Sequence, residues 1–123
     1  MEEKDKIIAC SGGVANMQVF DLKNVEYFPY EERQKNVLCQ SKNFKVQIIP
    51  LKPNEKLPPC EMAQSVVFYV LEGEGTIHVG DETVPVTVGK LLVSPPTVFS
   101  METVTGMRVL GVQIGKHEKQ QLL

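Results

Sequence analysis

Tryptophan is absent from this 123-residue chain, and histidine occurs only at His78 and His117. Two imidazoles cannot supply a histidine cluster, so catalytic and metal designs that need one are nearly excluded. Cysteine is also scarce. Cys10, Cys39 and Cys60 are odd in number and contain no CxxC pair, which argues against a disulfide framework or a zinc knuckle and for a reducing compartment. Long apolar runs are missing too: none exceeds about seven residues, whereas a membrane helix needs about 20. Ile7–Cys10 is too short for a signal-peptide core behind the charged stretch Met1–Lys6, so the expected location is cytoplasmic and no membrane partner is expected. Neither sign of charge dominates. Thirteen basic residues stand against fifteen acidic ones for a formal charge of −2, and so weak a field makes nucleic acid an unexpected partner.

What the chain has in quantity is valine. Seventeen valines face only three alanines, and β-branched residues lose rotamer freedom in helices but pack well on a pleated surface. Nine glycines and eight prolines punctuate the chain at short intervals, as an all-β domain with tight turns requires. Alternation predicts strands over Met17–Leu22, Phe44–Leu51, Val66–Leu71, Thr76–Val79, Thr83–Val88, Leu91–Val93, Val98–Met101 and Met107–Ile114. Tyr27–Lys35 reads as a loop with one helical turn at Glu31–Gln34, and Pro53-Asn54-Glu55 reads as a turn. Pro85 places its strand at an edge or bulge.

The faces of these strands carry the fold argument. Phe44, Val46 and Ile48 share one face, with Lys45 and Gln47 pointing the other way. Leu110, Val112 and Ile114 likewise share a face. Val66–Leu71 differs in kind, because Val66, Phe68 and Val70 are apolar on one side and Val67, Tyr69 and Leu71 on the other. Such a strand must be covered on both faces. That implies a barrel or sandwich interior on one side, and a terminal segment or second subunit on the other. Glu72-Gly73-Glu74-Gly75 is expected to break this strand.

Val66-Val67-Phe68-Tyr69-Val70-Leu71-Glu72-Gly73-Glu74-Gly75, the turn Val79-Gly80-Asp81-Glu82, and Gly89-Lys90-Leu91-Leu92-Val93-Ser94-Pro95 together resemble the small single-domain, conserved-barrel members of the cupin superfamily. The match runs from about Leu57 to Gly115. The resemblance implies an all-β double-stranded β-helix, or jelly-roll barrel, with a pocket inside one end. It divides the chain into residues 1–43, an N-terminal arm with edge strand or strands of the same domain; residues 44–115, the barrel; and residues 116–123, a tail. With the two-sided strand, it also implies a homodimer.

The resemblance further implies a divalent metal held by three histidines and a glutamate. Registered on Gly73 and Pro95, those four positions fall on Cys60, Met62, Val66 and Ser100. None is the family's residue. Valine has no lone pair, a serine hydroxyl is a poor ligand, and the two sulfurs are soft donors suited to monovalent copper rather than zinc or iron. Cys60 and Met62 therefore read as apolar wall. His78, His117, Glu72 and Glu74 read as surface groups, and Cys60 has no neighbouring base in the sequence that would make it a nucleophile. Glu61 and Gln64 alternate with the pocket-facing positions and stand near the pocket mouth. The expected protein is thus a metal-free cupin barrel with no catalytic residue assigned and no cofactor. Its apolar pocket of Cys60, Met62, Val66, Phe68 and Ser100 would take a small organic ligand. Two alternatives compete: a metal-dependent dioxygenase- or isomerase-type enzyme with Cys60 and Met62 as unconventional ligands, and a non-catalytic structural or interaction module.

Overall fold

The computed structural model describes residues 17–115. It contains a short 3-10 helix, Tyr30–Asn36, and eight strands: β1 (Val37–Gln40), β2 (Phe44–Leu51), β3 (Lys56–Met62), β4 (Ser65–Val79), β5 (Glu82–Thr87), β6 (Leu91–Ser94), β7 (Thr97–Glu102) and β8 (Met107–Ile114). All pairings are antiparallel. One sheet runs β1-β2-β8-β4-β6 and the other β3-β7-β4-β5. The fold is the double-stranded β-helix expected from the sequence.

Strand β4 belongs to both sheets. Its first half pairs with β6 and β8, and its second half with β5 and β7. The glycine-rich stretch therefore bends the strand where a break was expected. Gly73 adopts φ 77, and a Cβ there would run into the Gly106 carbonyl. Only glycine satisfies both constraints, which lets one chain segment turn the corner between the layers without losing its ladders.

Between the layers lies the core. Ile49, Val66, Phe68, Val70, Ile77, Phe99, Met101 and Val109 are all buried there. Phe68 of the first sheet meets Phe99 of the second edge to face, with ring centroids 5.0 Å apart and planes at 63°. Burying each such side chain contributes roughly 1.5–3 kcal/mol, so this contact ties the layers together. Pro85 sits on β5, which pairs only with β4, as a residue without an N–H donor requires.

A second expectation changes. Met17–Leu22 forms no strand. It has no ladder partner, and Asp21 instead anchors a turn, accepting from the Lys23 amide at 3.1 Å and the Asn24 side-chain amide at 2.6 Å. The two faces of β2 separate as the alternation has them, and the Lys45 face is the one turned inward. Lys45 and Gln47 are buried inside with Ile49 and Leu51, while Phe44 and Val46 lie on the outer face, half-buried. His117, Cys10 and the expected tail 116–123 lie outside the described residues.

Candidate functional site

The antiparallel registers set the interior of the first sheet in rows. The end row is Lys45, Gln113, Val66 and Ser94, the next is Gln47, Gly111, Phe68 and Leu92, and the third is Ile49, Val109 and Val70. Directly paired residues share a face. The barrel therefore has an apolar end and a polar end, and the polar end is the one beside Cys60 and Met62. Lys45 and Gln113 are 0% exposed and Gln47 is 1% exposed.

The five pocket residues expected from the sequence divide accordingly. Met62, Val66 and Phe68 are buried in the core, and Cys60 packs against it at partial exposure. Ser100 does not join them. It lies between Phe99 and Met101, both 1% exposed, so the pleat turns it to the outer face. There it pairs with His78. Counting from Pro95 fixes distance along the chain but not the phase of the pleat. Gln64 is buried beside Gly115, while Glu61 is exposed.

Lys45, Gln47 and Gln113 are the site residues that sequence reasoning missed. The signal was present: Lys45 and Gln47 are in phase with Ile49 and Leu51, and Gln113 is in phase with Met107 and Val109. Both strands are apolar on both faces along part of their length, so alternation alone does not say which set turns inward.

Burial governs the electrostatics here. Desolvation lowers the Lys45 ammonium from its ordinary 10.5 to about 8, opposed by the nearby Cys60 sulfur. Desolvation likewise pushes the Cys60 thiol up, against the pull of the Arg33 and Lys45 cations. Cys60 is thus held as a thiol, a poor ligand and a poor nucleophile. Both atoms of the Gln113 carboxamide, the Oε1 of Gln47 and the Nε of Arg33 are buried without a hydrogen-bond partner in the protein. Each such group carries a desolvation penalty of about 1–3 kcal/mol until something pairs with it.

This chemistry does not fit the divalent metal that the fold family implies. Val66 offers no donor, Ser100 faces away, Cys60 is protonated, and an ammonium stands beside it. Among the described residues, no three or more His, Cys, Asp and Glu are grouped to hold a metal ion.

Other polar features lie outside the barrel. His78 Nε2 is 2.9 Å from Glu102 Oε2, and this hydrogen bond is the main cause holding the Glu102 carboxyl below its ordinary value. A surface cleft of about 570 Å³ is lined by Tyr27, Pro50, Glu72 and Arg108 among others. Arg108 stacks 4.0 Å over the Tyr27 ring and donates to Glu72 at 3.0 Å.

The geometry is that of a small cupin-type barrel, and solved structures agree. No protein-family model and no curated protein matches the chain. An RmlC-like cupin protein of Desulfovibrio desulfuricans is 27% identical over 80% of this chain and 97% of its own, with a TM-score of 0.67. A conserved protein with a double-stranded β-helix domain from Klebsiella pneumoniae is 13% identical over 87% of this chain and 97% of its own, with a TM-score of 0.74. Salicylate 1,2-dioxygenase of Pseudoaminobacter salicylatoxidans shares 22% identity over 59% of this chain and 20% of its own, with a TM-score of 0.56. The fold thus accommodates a dioxygenase as well as proteins without an assigned role. No helix among the described residues is long and apolar enough to cross a membrane.

Proposed function

We propose that this chain is a ligand-binding barrel that works without a metal and holds a small organic molecule at the polar end of its interior. The observation that carries the reading is Gln113. A fully buried carboxamide with neither polar atom paired is costly, and a bound molecule that completes its hydrogen bonds offsets that cost. Met62, Val66 and Phe68 supply the apolar side of the same space. In this reading the site, expected to be apolar with one hydroxyl, is polar along one wall. The test is a thermal-shift screen of charged and neutral metabolites. A saturable rise in midpoint that Met62→Trp abolishes supports the reading, while silence across the panel favours a structural module. Metal analysis of untagged protein addresses the enzyme alternative: a stoichiometric metal lost in Cys60→Ser would replace this reading with a metal-dependent one.

We also infer that two copies pair through the outer face of the first sheet. On that face the registers align Val93, Val67, Val112 and Val46 in one row and Leu91, Tyr69 and Leu110 in the next, while Ile48 at the end of the second row is already buried. Leu91 and Val93 are 62% and 67% exposed. Four strands at about 4.8 Å spacing make a strip roughly 15–20 Å across. A second copy is the fitting occupant because a two-fold axis lays one flat apolar row on its own image. Sedimentation should give a dimer that Val93→Lys converts to a monomer. A monomeric native protein at micromolar concentration would overturn the inference.

A further inference from the structure

We propose that a small cavity between the 3-10 helix and the barrel binds one hydroxyl oxygen, that of a water or of a compact alcohol, between the guanidinium of Arg33 and the carboxamide of Gln47. The cavity measures about 20 Å³. It lies where Phe28, Tyr30 and Arg33 meet β2 and the start of β3, with Gln47 and Leu57 on its barrel side. Neither Lys45 nor Gln113 lines it, so it does not depend on the ligand site proposed above.

Two buried atoms of opposite polarity belong to its walls. Gln47 is 1% exposed, and its Oε1 has no hydrogen-bond partner in the protein; the Nε of Arg33 is likewise buried without one. Neither side chain is loosely held. Arg33 Nη1 donates to the Tyr30 carbonyl at 3.0 Å, and the guanidinium stacks 4.1 Å over the Tyr30 ring. The helix is fastened at its far end by buried Asn36, whose Oδ1 accepts from the Phe28 amide at 3.0 Å and whose Nδ2 donates to the Phe28 carbonyl at 2.9 Å. Gln47 is set by the β2 ladder, opposite Gly111.

Complementarity selects the occupant. The Arg33 Nε–H needs an acceptor and Gln47 Oε1 needs a donor. A carboxylate has no donor for Gln47, an ammonium has no acceptor for Arg33, and an apolar group has neither. A hydroxyl supplies both from one atom. Size selects again: a water needs roughly 10–15 Å³ of such space and at least two polar partners, whereas a sugar or an amino acid is too large. Completing both bonds relieves two desolvated groups at once and joins the helix to β2 through a single oxygen.

The test is a crystal structure of the full chain at about 1.5 Å resolution, determined with and without a methanol soak, beside a double-mutant cycle on the unfolding equilibrium. An isolated oxygen within about 3.2 Å of both Arg33 Nε and Gln47 Oε1 is expected. Its presence in unsoaked crystals makes water the occupant. Its presence only after soaking, with density for the attached carbon, makes an alcohol the occupant. In the cycle, the Arg33→Met and Gln47→Met double variant should fall about fivefold short of the product of the two single effects on the unfolding constant, because either substitution already breaks the bridge. Effects that simply multiply overturn the proposal. So does a direct Arg33–Gln47 hydrogen bond, or no oxygen bonded to both atoms in either crystal. If a variant fails to fold, the two wild-type crystal structures decide.

Discussion

Replacing Lys45 by methionine should stabilise the protein at neutral pH. Burial holds this ammonium at about 8, against an ordinary 10.5. That interval corresponds to roughly 3 kcal/mol of differential interaction between the charged and neutral forms. Below pH 8 both folded and unfolded chains carry the proton, and the folded state bears the full cost of the buried charge. Between pH 8 and 10.5 the unfolded chain binds more protons than the native one, so native stability rises with pH across that window. Methionine keeps an unbranched stem of similar length and carries no charge. Lys45→Met should therefore gain about 1–3 kcal/mol at pH 7, a rise of roughly 4 °C in Tm for each kcal/mol. The gain should shrink towards zero by pH 10. The ionisable group that acts on Lys45 is Cys60, on which Arg33 acts in turn. Urea melts from pH 6.5 to 10 belong in a Cys60→Ser background, which removes the one titratable group that acts on Lys45. A variant destabilised by more than about 1 kcal/mol at pH 7, or a difference that does not change with pH, would refute the reasoning.

The remaining expectations concern binding and the scaffold. Gly73→Ala should cost more than 3 kcal/mol or abolish folding, since a Cβ meets the Gly106 backbone at positive φ. Gly89→Ala, also at positive φ but facing open space, should cost only about 1–2 kcal/mol; equal chemical melts would deny that close approach matters. Phe99→Ala removes one ring of the inter-sheet pair and should cost about 3–5 kcal/mol. Ser100→Ala should leave both stability within ~0.5 kcal/mol and ligand binding unchanged, because its side chain lies on the outer face.

Much of the scaffold was legible because backbone demands leave strong marks. The bounds of β2 and β8 follow from alternation and coincide with Phe44–Leu51 and Met107–Ile114. The faces did not follow. Phe44, Val46 and Ile48 look like a core face until β2 is seen to lie in a barrel whose interior is polar at one end, and the same ambiguity hid Gln113. Met17–Leu22 alternates correctly but lacks a neighbour, and a strand is defined by its ladder rather than by its pattern. Gly73 was rightly singled out, yet a glycine that ends a strand and one that bends it look alike in sequence. Ser100 shows the limit of carrying a motif over by spacing: the ligand positions at Cys60, Met62 and Val66 fall inside, while a count through a turn loses the phase of the strand beyond it.

The altered ligand positions and the buried lysine make one coherent change of chemistry. A pocket that grips a divalent cation needs lone pairs from three or four side chains and presents positive charge to its substrate through the ion. Here the donors at those positions are reduced to a protonated thiol and a thioether, a set too few and too soft for a divalent ion. The positive charge is instead tethered to the backbone of β2 through Lys45. An ammonium cannot exchange ligands or carry electrons, but it can hold an anion, and its charge depends on pH as a bound metal's does not.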